Sequence, residues 1–106
     1  MLVMKQEQID VLAGAGFVRR MAQMLIDAGS VPVDVDFMQL CAEVAVILDY
    51  ASERGIQSER LLGMVVLLRL ADRIDPFVDP RYAQILLHTP VAEDDRAHLV
   101  QIIRMR

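Results

Sequence analysis

Apolar residues near the start of the chain recur at three- and four-residue steps. Ile9, Leu12, Ala13, Phe17, Met21, Met24, Leu25 and Ala28 fall on one face of a helix expected from about Gln6 to Ala28. Gly29 stops it, because glycine accepts the left-handed conformation that follows a helix end. Gly14 and Gly16 interrupt the pattern. Each costs about 1 kcal/mol relative to Ala inside a helix, so the pair either breaks the helix or lets another helix approach closely.

A second helix begins near Asp36. Asp36-x-x-Gln39 has the form of a capping box, in which Asp meets a free backbone N–H and Gln reaches back. Phe37, Leu40, Cys41, Val44, Ile47, Leu48 and Ala51 form its inner face; Glu43, Asp49, Glu53 and Arg54 point outward, and Gly55 ends it. Ser58 caps a third helix, with Glu59 in the first turn. Its stretch Leu61–Leu70 is apolar almost all round, which marks either a central helix or part of an interface. Asp79-Pro80 starts a short fourth helix containing Tyr82, Ile85, Leu86 and Leu87. Thr89-Pro90 repeats that device for a fifth, about Val91 to Met105, with Leu99, Ile102 and Ile103 as its apolar contacts. The reading is all-α: a compact bundle of about five helices in a single helical domain, 1–106.

Composition sharpens this picture. Hydrophobic residues make up 55% of the 106, above an ordinary share of about 45–50%. Aromatic residues are only 5%, with no Trp and seven Met, which favours helices over sheet. The net charge of −4 supplies no basic field for phosphates, and it disfavours an anionic membrane surface. The longest apolar stretches, Val11–Val18 and Leu61–Leu68, are far shorter than the 20 or so residues of a membrane span. The N-terminus does not have the form of a signal peptide. A single cysteine, Cys41, excludes an internal disulfide and fits a reducing compartment. Neither nucleic acid nor membrane is expected as a partner, and the expected location is cytoplasmic.

No cluster reads as catalytic. Asp72, Asp75 and Asp79 lack the flexible turn and closing Glu of a calcium loop, and read as a helix end followed by a cap. Asp34 and Asp36 read as a solvated charge and a cap. His88 and His98 lack zinc spacing. Cys41 reads as a small buried hydrophobe, and Gly14-x-Gly16 lacks the strand and third glycine of a dinucleotide loop. The expectation is therefore no enzyme, no cofactor and no metal.

The apolar surplus is the most informative remaining signal. Met21, Met24, Met38 and Met64 fill core gaps or, equally in keeping with methionine chemistry, line an adaptable binding surface. Glu93-Asp94-Asp95 lies at the positive end of the last helix and is a candidate contact for a basic partner. These seven residues are the partner-binding candidates of a protein-binding domain. The alternatives are a self-assembling helical module, with a homodimer as its simplest form, and a small-ligand carrier.

In the second half, Gly55-Ile56-x-Ser58-Glu59-x-x-Leu62 is followed by Leu70-Ala71-x-x-Ile74-Asp75 and by Ile85-Leu86. This succession resembles small helical proteins encoded beside type VI secretion effectors in Gram-negative bacteria. Their pattern is a Tyr-Gly-Ile turn, Ser-Glu and Leu, an apolar helix, a Leu-Gly-x-x-Phe-Asp turn and a segment ending Ile-Leu. Here Arg54 stands at the Tyr position, Ala71 at the Gly and Ile74 at the Phe. The resemblance implies an accessory role beside a secreted effector or toxin, as adaptor, chaperone or immunity protein. It brings no catalytic residue with it.

Overall fold

The computed structural model describes residues 16–106, and among these it contains five helices and no strand. Helix α1 is described over residues 16–27. The others are α2 Phe37–Glu53, α3 Glu59–Leu70, α4 Pro80–Leu86 and α5 Glu93–Arg104. The chain divides into two units, Met1–Ala45 and Val46–Arg106, and the division falls inside α2.

In the first unit, α1 ends in a Schellman turn. Gly29, at φ 72°, donates to the Ile26 carbonyl at 3.0 Å, and Ser30 donates to Leu25 at 2.9 Å. Met21, Ala22 and Leu25 are buried, whereas Met24 and Ala28 are exposed, contrary to the expected inner face. The physical reason is angular. Successive residues step by about 100°, so Met24 sits roughly a quarter-turn from the centre of the stripe that Met21, Ala22 and Leu25 define. Gly16 is helical, and among the described residues a Cβ there would meet nothing within 4 Å. Ile9, Leu12, Ala13 and Gly14 lie outside the described residues.

Asp36 caps α2 as its sequence position predicts, accepting from the Met38 amide at 2.9 Å and the Gln39 amide at 3.4 Å. Leu40, Val44, Ile47, Leu48 and Ala51 are buried, while Phe37 and Cys41 are half-buried. The helix exits through a second Schellman turn. Gly55, at φ 89°, donates to Ser52 at 2.9 Å, and Ile56 donates to Ala51 at 3.2 Å. Ile56 is buried, in the position where this turn characteristically carries its apolar contact.

In the second unit, α3 packs against α5, and α5 also packs against α4. The Ser58 hydroxyl caps α3 by accepting from the Leu61 amide at 3.4 Å. Leu61, Leu62, Val65, Val66 and Leu68 are buried, and no residue from Leu61 to Leu70 is exposed. Of the two readings of this apolar stretch, the inner helix of its unit is the one observed. The helix ends at Leu70, and in the loop that follows Arg73 is a non-glycine residue at φ 60°, after which Ile74 donates back to the Leu68 carbonyl at 2.9 Å. Nothing in the residue type announces that conformation.

Asp79 caps α4 through the Arg81 amide at 2.9 Å, with Pro80 at the first helical position. Tyr82 and Leu86 are buried, but Leu87 is exposed. The fifth helix departs from expectation in two ways. It starts at Glu93 behind Ala92, which offers no side-chain cap, because Thr89-Pro90 belongs to a preceding turn in which Val91 donates to His88 at 3.2 Å. Its buried face is Arg96, Ala97 and Val100, so Leu99 and Ile102 are exposed rather than inward. Polar bonds made by Glu93 and Arg96, described below, turn that face toward the interior.

Two backbone substitutions separate these turns. Gly55→Ala places a Cβ in left-handed backbone and is expected to lower stability by about 1–2 kcal/mol. Arg73→Gly relieves the same kind of strain and is expected to raise stability by up to about 1 kcal/mol. Urea midpoints should move in opposite directions at unchanged slope.

Candidate partner-binding surfaces

The acidic run at the start of α5 faces its own fold. One oxygen of Glu93, Oε1, accepts from the backbone amides of Gln57 at 2.8 Å and Ser58 at 2.6 Å. Asp94 Oδ1 accepts from the Ser58 hydroxyl at 2.6 Å. These amides stand at the positive end of α3, where free N–H groups and the helix dipole favour a carboxylate. The other Glu93 oxygen lies 3.9 Å from Arg96 Nη2. Arg96 is only 6% exposed and donates through Nη1 to the Leu86 carbonyl at the end of α4. Its Nε is buried without a partner. Opposite charges therefore alternate through the second unit: the α4 carboxyl end, Arg96, Glu93, then the amino end of α3.

Three further acids of this unit, Asp72, Asp75 and Asp79, are also engaged. Arg104 donates to both oxygens of Asp72, at 2.8 and 3.0 Å. Asp75 accepts from the Phe77 amide at 3.0 Å and lies 3.5 Å from Arg69 Nη1. Arg81 folds back on Asp79 with two side-chain bonds, at 3.1 and 2.9 Å. The side-chain bond from Arg81, followed by its backbone bond, holds the Asp79 carboxyl below its usual range. The caps read from sequence at Asp72–Asp79 thus come with ion pairs. Among the described residues no group of three or more His, Cys, Asp or Glu is placed to hold a metal ion.

Arg54 lies over the Tyr50 ring at 3.5 Å and donates to the Tyr50 carbonyl at 3.0 Å. Phe77 meets Tyr50 edge-on at 5.4 Å. This cluster ties the end of α2 to the loop before α4 through ordinary cation–π and edge contacts.

The sequence-derived candidates are dispersed. In the first unit, Met21 is 4% exposed and has no surface to offer, whereas Met24 and Met38 stand in solvent. In the second, Met64 is half-buried on α3, Glu93 and Asp94 are bonded to α3, and Asp95 is exposed. Other exposed apolar side chains are Val33, Val46, Val78, Leu87, Leu99, Ile102 and Met105.

One arrangement was not picked out from the sequence. Met38, Ala42 and Val46 occupy every fourth position of α2, all exposed, Met38 at 68% and Val46 at 67%. They line one outer face of a single helix, opposite its buried row. The four-residue spacing was available as a signal, but the inner-face row beside it is longer and masks it.

Comparison with known proteins matches the chain to no protein family, no curated protein and no solved structure.

Two predictions test the polar framework. Glu93→Ala removes an acceptor from two amides and leaves Arg96 buried beside no carboxylate, so a loss of about 2–4 kcal/mol is expected. Glu93→Gln, which keeps one acceptor oxygen, should lose less, and denaturant unfolding ranks the two. For Asp79, the folded-state pKa lies below the unfolded value, so the unfolded chain takes up the proton first. Its contribution is present above the usual carboxylate range and is lost as pH falls through the lowered value. Asp79→Asn keeps a competent cap. It should be less stable than the parent near neutral pH and converge with it in strong acid.

Proposed function

We propose that this chain is a non-enzymatic helical protein that works in the cytoplasm by binding another protein. The observation that carries the reading is apolar side chains left in solvent although a core has formed. Met24, Met38 and Val46 are exposed while Leu25, Leu40 and Val44 beside them on the same helices are buried. Such surface is characteristic of sites that a partner covers. Glu93 is engaged with the start of α3, whereas Asp94 and Asp95 are exposed and stay candidate contacts for a basic partner. The free thiol of Cys41 accords with a reducing compartment.

The likeness of Gly55–Leu62, Leu70–Asp75 and Ile85–Leu86 to proteins encoded beside type VI effectors extends the proposal. It assigns the chain an accessory role next to a secreted effector or toxin, as adaptor, chaperone or immunity protein. The helical fold with no strand among the described residues is compatible with that likeness.

Self-assembly is the second reading. Leu99 and Ile102, three residues apart on α5, are both exposed, and a second copy would remove them from water.

Co-expression with the product of the adjacent gene tests the first reading. A complex of fixed stoichiometry on gel filtration is expected, and Met24→Lys together with Met38→Lys should weaken it. Elution of the two proteins apart, with the effector's solubility and toxicity unchanged, would sink it. Light scattering over a concentration series separates the second reading, since a mass that stays at one chain throughout removes it.

A further inference from the structure

Resting on the protein-binding reading, we propose that the outer face of α2 docks a basic amphipathic helix of another protein. Met38, Ala42 and Val46 are four residues apart on one continuous helix, so they stack above one another over about 12 Å. Two turns of a partner helix match that length, with apolar anchors at the usual three- and four-residue steps.

Charge selects the occupant. Glu43, Asp49 and Glu53 are exposed on the same helix, and none of them has an ion-pair partner among the described residues. This contrasts with Asp72, Asp75, Asp79 and Glu93, each held by an arginine or by backbone amides. The cation nearest the end of α2, Arg54, is drawn onto the Tyr50 ring and its carbonyl. Asp49 and Glu53 continue the face of the apolar row beyond Val46 and Glu43 lies to one side of it, so acids without an ion pair among the described residues adjoin the row. Lysines or arginines flanking a partner's apolar stripe complement it and speed its capture. A second copy presenting the same face would set acid against acid, and anionic lipid or nucleic acid would be repelled.

The test uses the full chain, isotope-labelled, and two synthetic helical peptides that share one row of leucines. One is flanked by lysines and the other by glutamates. The lysine peptide is expected to shift the amides of residues 38–53, and to bind roughly tenfold more weakly when salt is raised. The glutamate peptide is expected to give no shift. In the doubly substituted Glu43→Lys, Asp49→Lys chain, the preference should reverse; both sites are exposed, so the fold is retained. Equal response to both peptides, no response to either, or shifts confined to other helices would overturn the proposal. So would concentration-dependent shifts on α2 without peptide, which would mark a second copy as the occupant. If the effector complex forms unchanged with the doubly substituted chain, the α2 inference fails while the protein-binding reading stands. If no effector complex forms with the parent chain, it is that reading which fails.

Discussion

The second unit depends on one carboxylate. Glu93 receives two amides from the start of α3 and lies against Arg96, whose guanidinium reaches the last carbonyl of α4. The start of α3 and the end of α4 carry unmet backbone groups, and each end would be costly to bury alone. Glu93 and Arg96 answer both at once because the partial charges at those ends have opposite sign. The cost is a buried guanidinium with one nitrogen unpartnered. With Arg96 buried and Glu93 half-buried, such a pair fixes an arrangement more than it adds stability. Hydrophobic burial along α3 supplies the driving force; the polar chain decides which face of α5 is turned inward.

That division explains what could be read from the sequence. Local devices were legible because their chemistry lies within a few residues. Asp36, Ser58 and Asp79 cap the helices they precede, and Gly29 and Gly55 leave helices at positive φ. The α5 start was not legible. Thr89-Pro90 has the same local form as Asp79-Pro80, yet Ala92 is the cap position, and the acids behind it serve a helix 35 residues away in sequence. The inward face of α5 followed the same rule: Leu99 and Ile102 looked apolar and therefore internal, but Arg96 had a carbonyl to reach. Arg73, in the loop after α3, takes a conformation its residue type disfavours, so no composition rule would have placed it there.

The candidate surface was legible only in part. Methionine chemistry pointed to four residues, and helical geometry distributed them among core, edge and solvent. Met21 is buried while Met24, one turn on, is not. On α2 nearly every face has apolar residues, so periodicity identified the buried row and left the outer row of Met38, Ala42 and Val46 unremarked. The acids gave the complementary lesson. Their sequence clustering suggested a patch at Glu93–Asp95, but Glu93 is turned into the fold and Asp94 is bonded to the Ser58 hydroxyl, while the scattered acids of α2 carry no ion pair among the described residues.

The bond from Ser58 to Glu93 also bears on the order in which the unit is built. Amides at a helix start ordinarily exchange with solvent quickly, because no earlier carbonyl holds them. Here the Gln57 and Ser58 amides are held by a residue on the last helix, so docking of α5 protects a helix start that would otherwise face solvent. The first turn of α3 thus works as a sensor of α5 docking: a helix boundary, normally the loosest part of a fold, is held by a side chain 35 residues further along the chain.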